Sequence, residues 1–479
     1  MNFNFKKDKN RNFLFLFCIT VIGYQVVSSN LLSKKNLDRS ANIKGDTLSI
    51  MSLSSIEEKV KRSTKLGTSK TLSKKPKKET SVLINDPNMA EKWGLKLTES
   101  SAAWKITQGS KNVIVAVIDT GIDVSHEDLS ANLWQNKGET GLDKNGKNKA
   151  TNGIDDDKNG YIDDVNGWNF VSNNNSLTDN HGHGTHISGI VGAVGGNNKG
   201  ISGVSPKVSL MSLKYFDPKK IGTNNLENTV KAIHYAIENG AKIINYSGGG
   251  TEFSSKEKQA IERAQKKGIL FVAAAGNEQS NSDEKKYYPA DYDLNNIISV
   301  TAIDPNQKIL PSSNYGKITV DIAAPGKNIY STLPQGKYGR MTGTSQATAF
   351  VSGVASLIMA YNEDYNAIKV AKYIKNTGDV VEGLKSKTRY NRKLNSYRAL
   401  SILDQGVSAT GVVADNVQNL PKNSFSAEGF KYKGDTQGQE QEIKNFSANL
   451  LEKIKTKSQS ERGLNSENRL PNNTKKVND

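Results

Sequence analysis

The feature that most constrains this 479-residue chain is an apolar run with no polar break, Val113-Ile114-Val115-Ala116-Val117-Ile118. A strand with one wet face alternates apolar and polar residues, so an unbroken run demands cover on both faces. Comparable runs recur at Ile243-Ile244, at Ile269-Leu270-Phe271-Val272-Ala273 and at Ile297-Ile298-Ser299-Val300. Between them the period lengthens. Residues Lys256 to Lys267 read as an amphipathic helix, as do Glu227 to Glu238, with Val230, Ile233 and Ile237 on one face. Doubly covered strands alternating with helices of this length predict an α/β fold, a mostly parallel central sheet with helices on both faces. In such a sheet the active site lies at the carboxyl ends of the strands.

This pattern fills only the middle of the chain. At its start, Lys6, Lys7, Lys9 and Arg11 precede an apolar run from Phe13 to Tyr24, and small residues follow at Val27-Ser28-Ser29. That layout predicts a signal peptide over residues 1–29, hence a secreted or extracellular protein, with the cell surface and the periplasm included. Cys18 is the only cysteine and would leave with the signal, so no disulfide and no thiol nucleophile is expected in the mature chain. Residues 30–84 are rich in Ser, Lys and Thr without a sustained period and read as a propeptide or linker. The ordered domain is expected over residues 85–403, and residues 404–479 as a polar, disordered tail.

Charge narrows the partners. The net charge is +17, but residues 1–80 hold 17 Lys and Arg against 6 Asp and Glu. The basicity therefore belongs mostly to the N-terminal arm and gives the folded part no reason to bind nucleic acid.

Three segments carry chemistry. The strand at 113–118 runs into Asp119-Thr120-Gly121, which puts a carboxylate at a strand's end. The segment His181-Gly182-His183-Gly184-Thr185-His186 precedes a small-residue helix over Ile187 to Val194, and Gly343-Thr344-Ser345-Gln346-Ala347-Thr348 opens an apolar helix to about Met359. Serine is a weak nucleophile at neutral pH, so it needs an adjacent base, and the base needs a group that holds its tautomer. A serine at a helix start is exposed to the positive end of the helix dipole. Each segment alone has an ordinary explanation as a turn, a cap or a metal-binding run. Asp, His and Ser in that order are far more specific.

Val117-Ile118-Asp119-Thr120-Gly121-Ile122-Asp123, His183-Gly184-Thr185-His186-Ile187-Ser188-Gly189 and Gly343-Thr344-Ser345 resemble the three signature blocks of the subtilisin-like serine proteases. The resemblance covers roughly residues 84–403 and is nearest to the thermitase-like branch. It implies a subtilisin-like fold and serine endopeptidase activity, with Ser345 as nucleophile, His183 as base and Asp119 orienting the base. Ala273-Ala274-Ala275-Gly276-Asn277 resembles the block whose Asn donates to the oxyanion, which assigns that role to Asn277. After Ser345 the family usually shows Met-Ala-x-Pro-His, whereas this chain has Gln346-Ala347-Thr348-Ala349-Phe350. The resemblance further implies substrate walls at Ser247, Gly248 and Gly249 and at Ala274, Ala275 and Gly276, which pair with an extended protein or peptide substrate. Tyr287 is expected near the pocket floor, and Glu278, Asp283 and Glu284 are acids that could draw a basic side chain. The alternative is a secreted, non-catalytic binding protein that keeps the fold. A monomer is expected, off the membrane once the signal is gone.

Structural calcium is the expected cofactor, with no catalytic metal. Asp155, Asp157, Asn159, Tyr161 and Asp164 place oxygen donors along a segment whose Gly160 stands at the sixth position, like the first half of an EF-hand loop. A second site is implied by the resemblance alone: Asp86, Asp128 and Asn197, with backbone oxygens of Val194, Lys199 and Ile201.

Overall fold

The structure, a computed structural model, describes residues 85–402. The expected signal peptide, the propeptide and the polar tail lie outside the described residues. Eleven strands are present among the described residues: β1 (Gly109–Asp119), β2 (Gly167–Asn169), β3 (Lys207–Lys214), β4 (Ile243–Tyr246), β5 (Leu270–Ala274), β6 (Ile297–Ile303), β7 (Ile322–Pro325), β8 (Ile329–Leu333), β9 (Lys337–Met341), β10 (Asp379–Val380) and β11 (Arg392–Lys393). Nine form one sheet in the order β10-β11-β7-β6-β5-β4-β1-β3-β2, and β8 and β9 form a separate pair. All pairings in the large sheet are parallel except β10 with β11. The four apolar runs read from the sequence are β6, β5, β4 and β1, adjacent in the middle of the sheet.

Their lack of polar breaks has the expected cause. Val113, Val115 and Val117 enter one apolar cluster, while Ala116 and Ile118 enter another on the opposite face. The same split divides Ile243 from Ile244, and Leu270 and Val272 from Phe271 and Ala273. Full burial of one such aliphatic side chain is worth roughly 1.5–3 kcal/mol, a large share of a domain's net stability.

Five longer helices cover the sheet: α1 (His183–Gly192), α2 (Asn225–Glu238), α3 (Ser255–Lys266), α4 (Thr344–Tyr361) and α5 (Ala367–Thr377). Helices α2 and α3 supply Ala232, Ile233, Ala236, Ala260 and Ile261 to one cluster. Helices α1, α4 and α5 supply the other. Helix α4 is buried from Thr344 to Met359 and packs against β1, β4, β5, β6 and β7. The unusual residues after Ser345 are absorbed there. Gln346 and Phe350 are buried, and the Thr348 hydroxyl donates to Thr344 O at 2.8 Å. Among the described residues no helix is long and apolar enough to cross a membrane.

Candidate active site

The sheet's carboxyl edge gathers the chemistry. Asp119 is the last residue of β1, and its Oδ1 lies 2.7 Å from His183 Nδ1. The Thr120 N–H donates to the same oxygen at 2.8 Å. A carboxylate only accepts, so His183 Nδ1 carries the proton and Nε2 keeps its lone pair. Both groups are buried. Burial pulls the His183 pKa down, but the charge and hydrogen bond of Asp119, with the charge of Asp179, outweigh it and leave the pKa raised.

Helix α1 begins at His183 itself, earlier than the sequence pattern indicates. The reason is Asp179, which sequence reasoning passed over. Its Oδ1 accepts from His181 N at 3.1 Å, Gly182 N at 2.7 Å and the Thr120 hydroxyl at 2.8 Å. Its Oδ2 accepts from Thr185 N at 2.9 Å and Thr185 Oγ1 at 2.7 Å. Thr120 Oγ1 in turn accepts from Gly184 N at 2.9 Å. One carboxylate thus binds the helix start that carries His183 to the strand end that carries Asp119. The approach is close enough to require glycine at 184, where a Cβ would stand 2.1 Å from Gly121 O. No capping pattern flags Asp179, because it lies before the Gly182 cap position.

Ser345 is the second residue of α4, where helical N–H groups have no partner within the helix. Its hydroxyl donates to Ser247 O at 3.0 Å, and the Ser247 hydroxyl donates to Ser345 O at 3.3 Å. Asn277, just past β5, accepts from Thr344 N at 3.0 Å and Thr344 Oγ1 at 3.2 Å through Oδ1. Those two bonds engage Oδ1 and fix the amide's orientation. The other two histidines of the motif differ. His186 is buried, contacts Ile329 O through Nε2 at 2.9 Å and is pulled down to about 3 by burial, so it stays neutral. The His181 ring stands edge-on to His183.

The expected wall residues stand at the ends of the neighbouring strands β4 and β5, with Ser247 in contact with Ser345. Ser247, which follows β4, is buried, as are Ala274 and Ala275, and Gly248 and Gly249 come next after Ser247. Of the three acids considered for drawing a basic side chain, Asp283 is committed elsewhere. It accepts from Ile318 N, Thr319 N and the Thr319 hydroxyl. Glu284 accepts from the Asn281 amide.

Away from this edge, Asp157 and Asp164 come together with Glu139, ligand-capable oxygens of all three lying within 4.8 Å of one another. Glu139 was not anticipated; it sits in a single helical turn well before the acidic run. It and Asp164 are fully buried, Glu139 Oε2 has no hydrogen-bond partner, and burial raises the pKa of both. The Asn159 amide reaches both Asp164 and Asp157. Asp155 instead closes its own loop, accepting from Asn159 N at 3.1 Å and Gly160 N at 2.8 Å. The Tyr161 ring packs edge-on against Trp168 and Tyr235. The second expected group is tied together by hydrogen bonds in which Val194, Lys199 and Ile201 contribute backbone N–H groups. Asp86 accepts from Gly196 N and Asn197 N, and the Asn197 amide donates to Asp128 at 2.9 Å. Ile201 N donates to Asp128 and Val194 N to Asp128 O. Lys199 N donates to Asn197 Oδ1.

A family model described as the subtilase family matches residues 110–423. The chain is 34% identical over 317 residues to thermitase of Thermoactinomyces vulgaris, covering 66% of this chain and 98% of that protein. It is 36% identical over 326 residues to subtilisin-like protease 2 of Plasmodium falciparum, covering 67% of this chain but only 22% of that protein's length. It is 37% identical over 273 residues to the major intracellular serine protease of Bacillus subtilis, covering 57% of this chain and 76% of that protein.

Proposed function

The chain belongs to the subtilase family, and from that premise we propose that it is a secreted serine endopeptidase working through Asp119, His183 and Ser345. The observation that carries the reading is the 2.7 Å contact between Asp119 and His183 Nδ1, which leaves Nε2 as the base at the sheet edge where Ser345 and Asn277 lie. His183 Nε2 takes the Ser345 hydroxyl proton as Oγ attacks the substrate carbonyl carbon. The oxyanion receives the Asn277 Nδ2 donor and the Ser345 N–H. The imidazolium, stabilised by ionised Asp119, returns the proton to the leaving amine, and water then hydrolyses the acyl-enzyme. Protein or peptide substrates lie extended along Ser247 to Gly249 and Ala274 to Gly276.

Calcium completes the reading as a structural ion. The oxygen-only donors at Glu139, Asp157 and Asp164 suit a hard divalent cation, and a buried carboxylate oxygen lacking a partner fits such a ligand. Asp86, Asp128 and Asn197 suit a second ion. When bound, calcium supplies positive charge to buried acids; Asn159 then orients the Asp157 and Asp164 carboxylates. Residues 1–29 are the signal peptide, residues 30–84 a removable propeptide and residues 404–479 a dispensable tail.

The test is casein hydrolysis by the purified full chain in calcium beside Ser345→Ala, with intact masses of both. Hydrolysis and N-terminal trimming in the parent, both lost in the variant, are expected. A folded parent that neither cleaves casein nor reacts with a fluorophosphonate would leave the non-catalytic binding reading in its place.

A further inference from the structure

Resting on the peptidase reading, the space beside Ser345 says which residue can be attacked. The segments that touch the helix start at Ser345, through Ser247 and Asn277, leave neighbouring strands β4 and β5, and on that reading they wall the side chain of the acylated residue. The Tyr287 ring lies in the gap between them. A Cβ at Gly249 would stand 2.5 Å from Tyr287 Cε1, and a Cβ at Gly276 would stand 2.9 Å from Tyr287 Cε2. The ring's two edges therefore reach both segments, and each is glycine where the ring touches it.

The ring is held in place. Gly250 N donates to Tyr288 O at 2.8 Å, and Tyr288 N to Gly250 O at 2.7 Å. Tyr287 N donates to Asp291 Oδ2 at 2.8 Å, and the side chain is only 8% exposed. Behind Gly276, Glu278 Oε2 accepts from Asn314 Nδ2 at 2.7 Å. A Cβ at Gly276 would meet both atoms at 2.4 Å. The Tyr287 ring thus spans the gap between the two glycines, and the Asn314-paired carboxylate of Glu278 also lies against Gly276.

We propose that Tyr287 closes the pocket for the acylated residue and restricts cleavage to peptide bonds that follow Gly, Ala or Ser. Alanine and serine extend one or two heavy atoms beyond Cα and stop short of the ring. Phenylalanine and leucine would collide with it. Lysine or arginine would have to cross it to reach Glu278.

The experiment compares kcat/KM for tetrapeptide anilides ending in Ala, Ser, Phe, Leu or Lys, using the full chain in calcium. Rates are normalised to sites titrated with a fluorophosphonate. Ala or Ser is expected to exceed Phe, Leu and Lys by about tenfold or more. Tyr287→Gly is expected to raise the Phe-to-Ala ratio at least about tenfold, while Tyr287→Phe keeps the parent's preference. Melting curves and site titration confirm that each variant is folded. A parent that prefers Phe, Leu or Lys, or a Phe-to-Ala ratio unmoved by Tyr287→Gly, overturns the inference alone. Absence of any titratable serine overturns the peptidase reading and this inference together.

Discussion

The corner that holds Asp119 and Asp179 and the loop that holds Glu139 and Asp164 beside the exposed Asp157 both bury carboxylates, and they treat the charge differently. In the corner the chain's own donors meet the acids: Asp119 by Thr120 N and His183, Asp179 by five groups on Thr120, His181, Gly182 and Thr185. In the loop, Asp164 is met by Asn136, Asn159 and Tyr235 and Glu139 Oε1 by two backbone N–H groups, but the three acids also face one another and Glu139 Oε2 is met by no donor. Unpaired buried charge is costly, so such a cluster protonates or recruits a cation. The corner's acids are matched by the chain's own donors, while on the proposed reading the loop's cluster is completed by a cation.

The contrast can be broken from either side. The largest effect belongs to Ser345→Ala, which should lower kcat on the order of 10⁶-fold and leave the melting temperature in calcium unchanged. Asn277→Ala should lower kcat on the order of 10²–10³-fold with little change in KM, because its donor is felt mainly as the oxyanion forms.

Asp179→Asn sharpens the comparison, since it removes charge but keeps shape. The His183 pKa is raised, so activity should climb with pH through a limb above the ordinary histidine value near 6.5. Deleting the Asp179 charge should move that limb to lower pH and reduce kcat by about tenfold. A melting temperature that falls while the limb stays put would make Asp179 structural only.

On the loop side, chelating calcium from an inhibitor-blocked sample should lower the melting temperature by roughly 10 °C, as for loss of a ligand held near 1,000 times its Kd. Glu139→Gln should shrink the calcium-dependent part of that shift and leave kcat in calcium unchanged. In chelator the variant should melt no lower than the parent, because it carries one buried charge fewer.

The sequence made some of this plain and hid the rest for physical reasons. Strands β1, β4, β5 and β6 declared themselves because burial on both faces leaves no polar interruption. Asp119, His183 and Ser345 were legible as a candidate triad because their segments resemble the signature blocks of the subtilisin-like serine proteases. β2 is three residues long, and the β8–β9 hairpin mixes Tyr330, Thr332, Lys337 and Arg340 into a pattern no period distinguishes from loop. Asp179 and Glu139 are single acids among turn-forming residues. Their meaning comes from partners on other elements, which only the fold brings near. The oxygen-rich run at Asp155 to Asp164 was legible as a cation loop, but not that Asp155 would turn inward on its own backbone while Glu139 joined Asp157 and Asp164.

Helix α4 carries Ser345 at its start and lies against five strands of the sheet. An element so placed cannot fray by itself; its amides should exchange only with opening of the whole domain. On the proposed peptidase reading, a molecule is then either intact and competent or unravelled and open to cleavage by its neighbours. Its working lifetime is then set by how often one copy unfolds within reach of another, so its half-life should shorten as its own concentration rises.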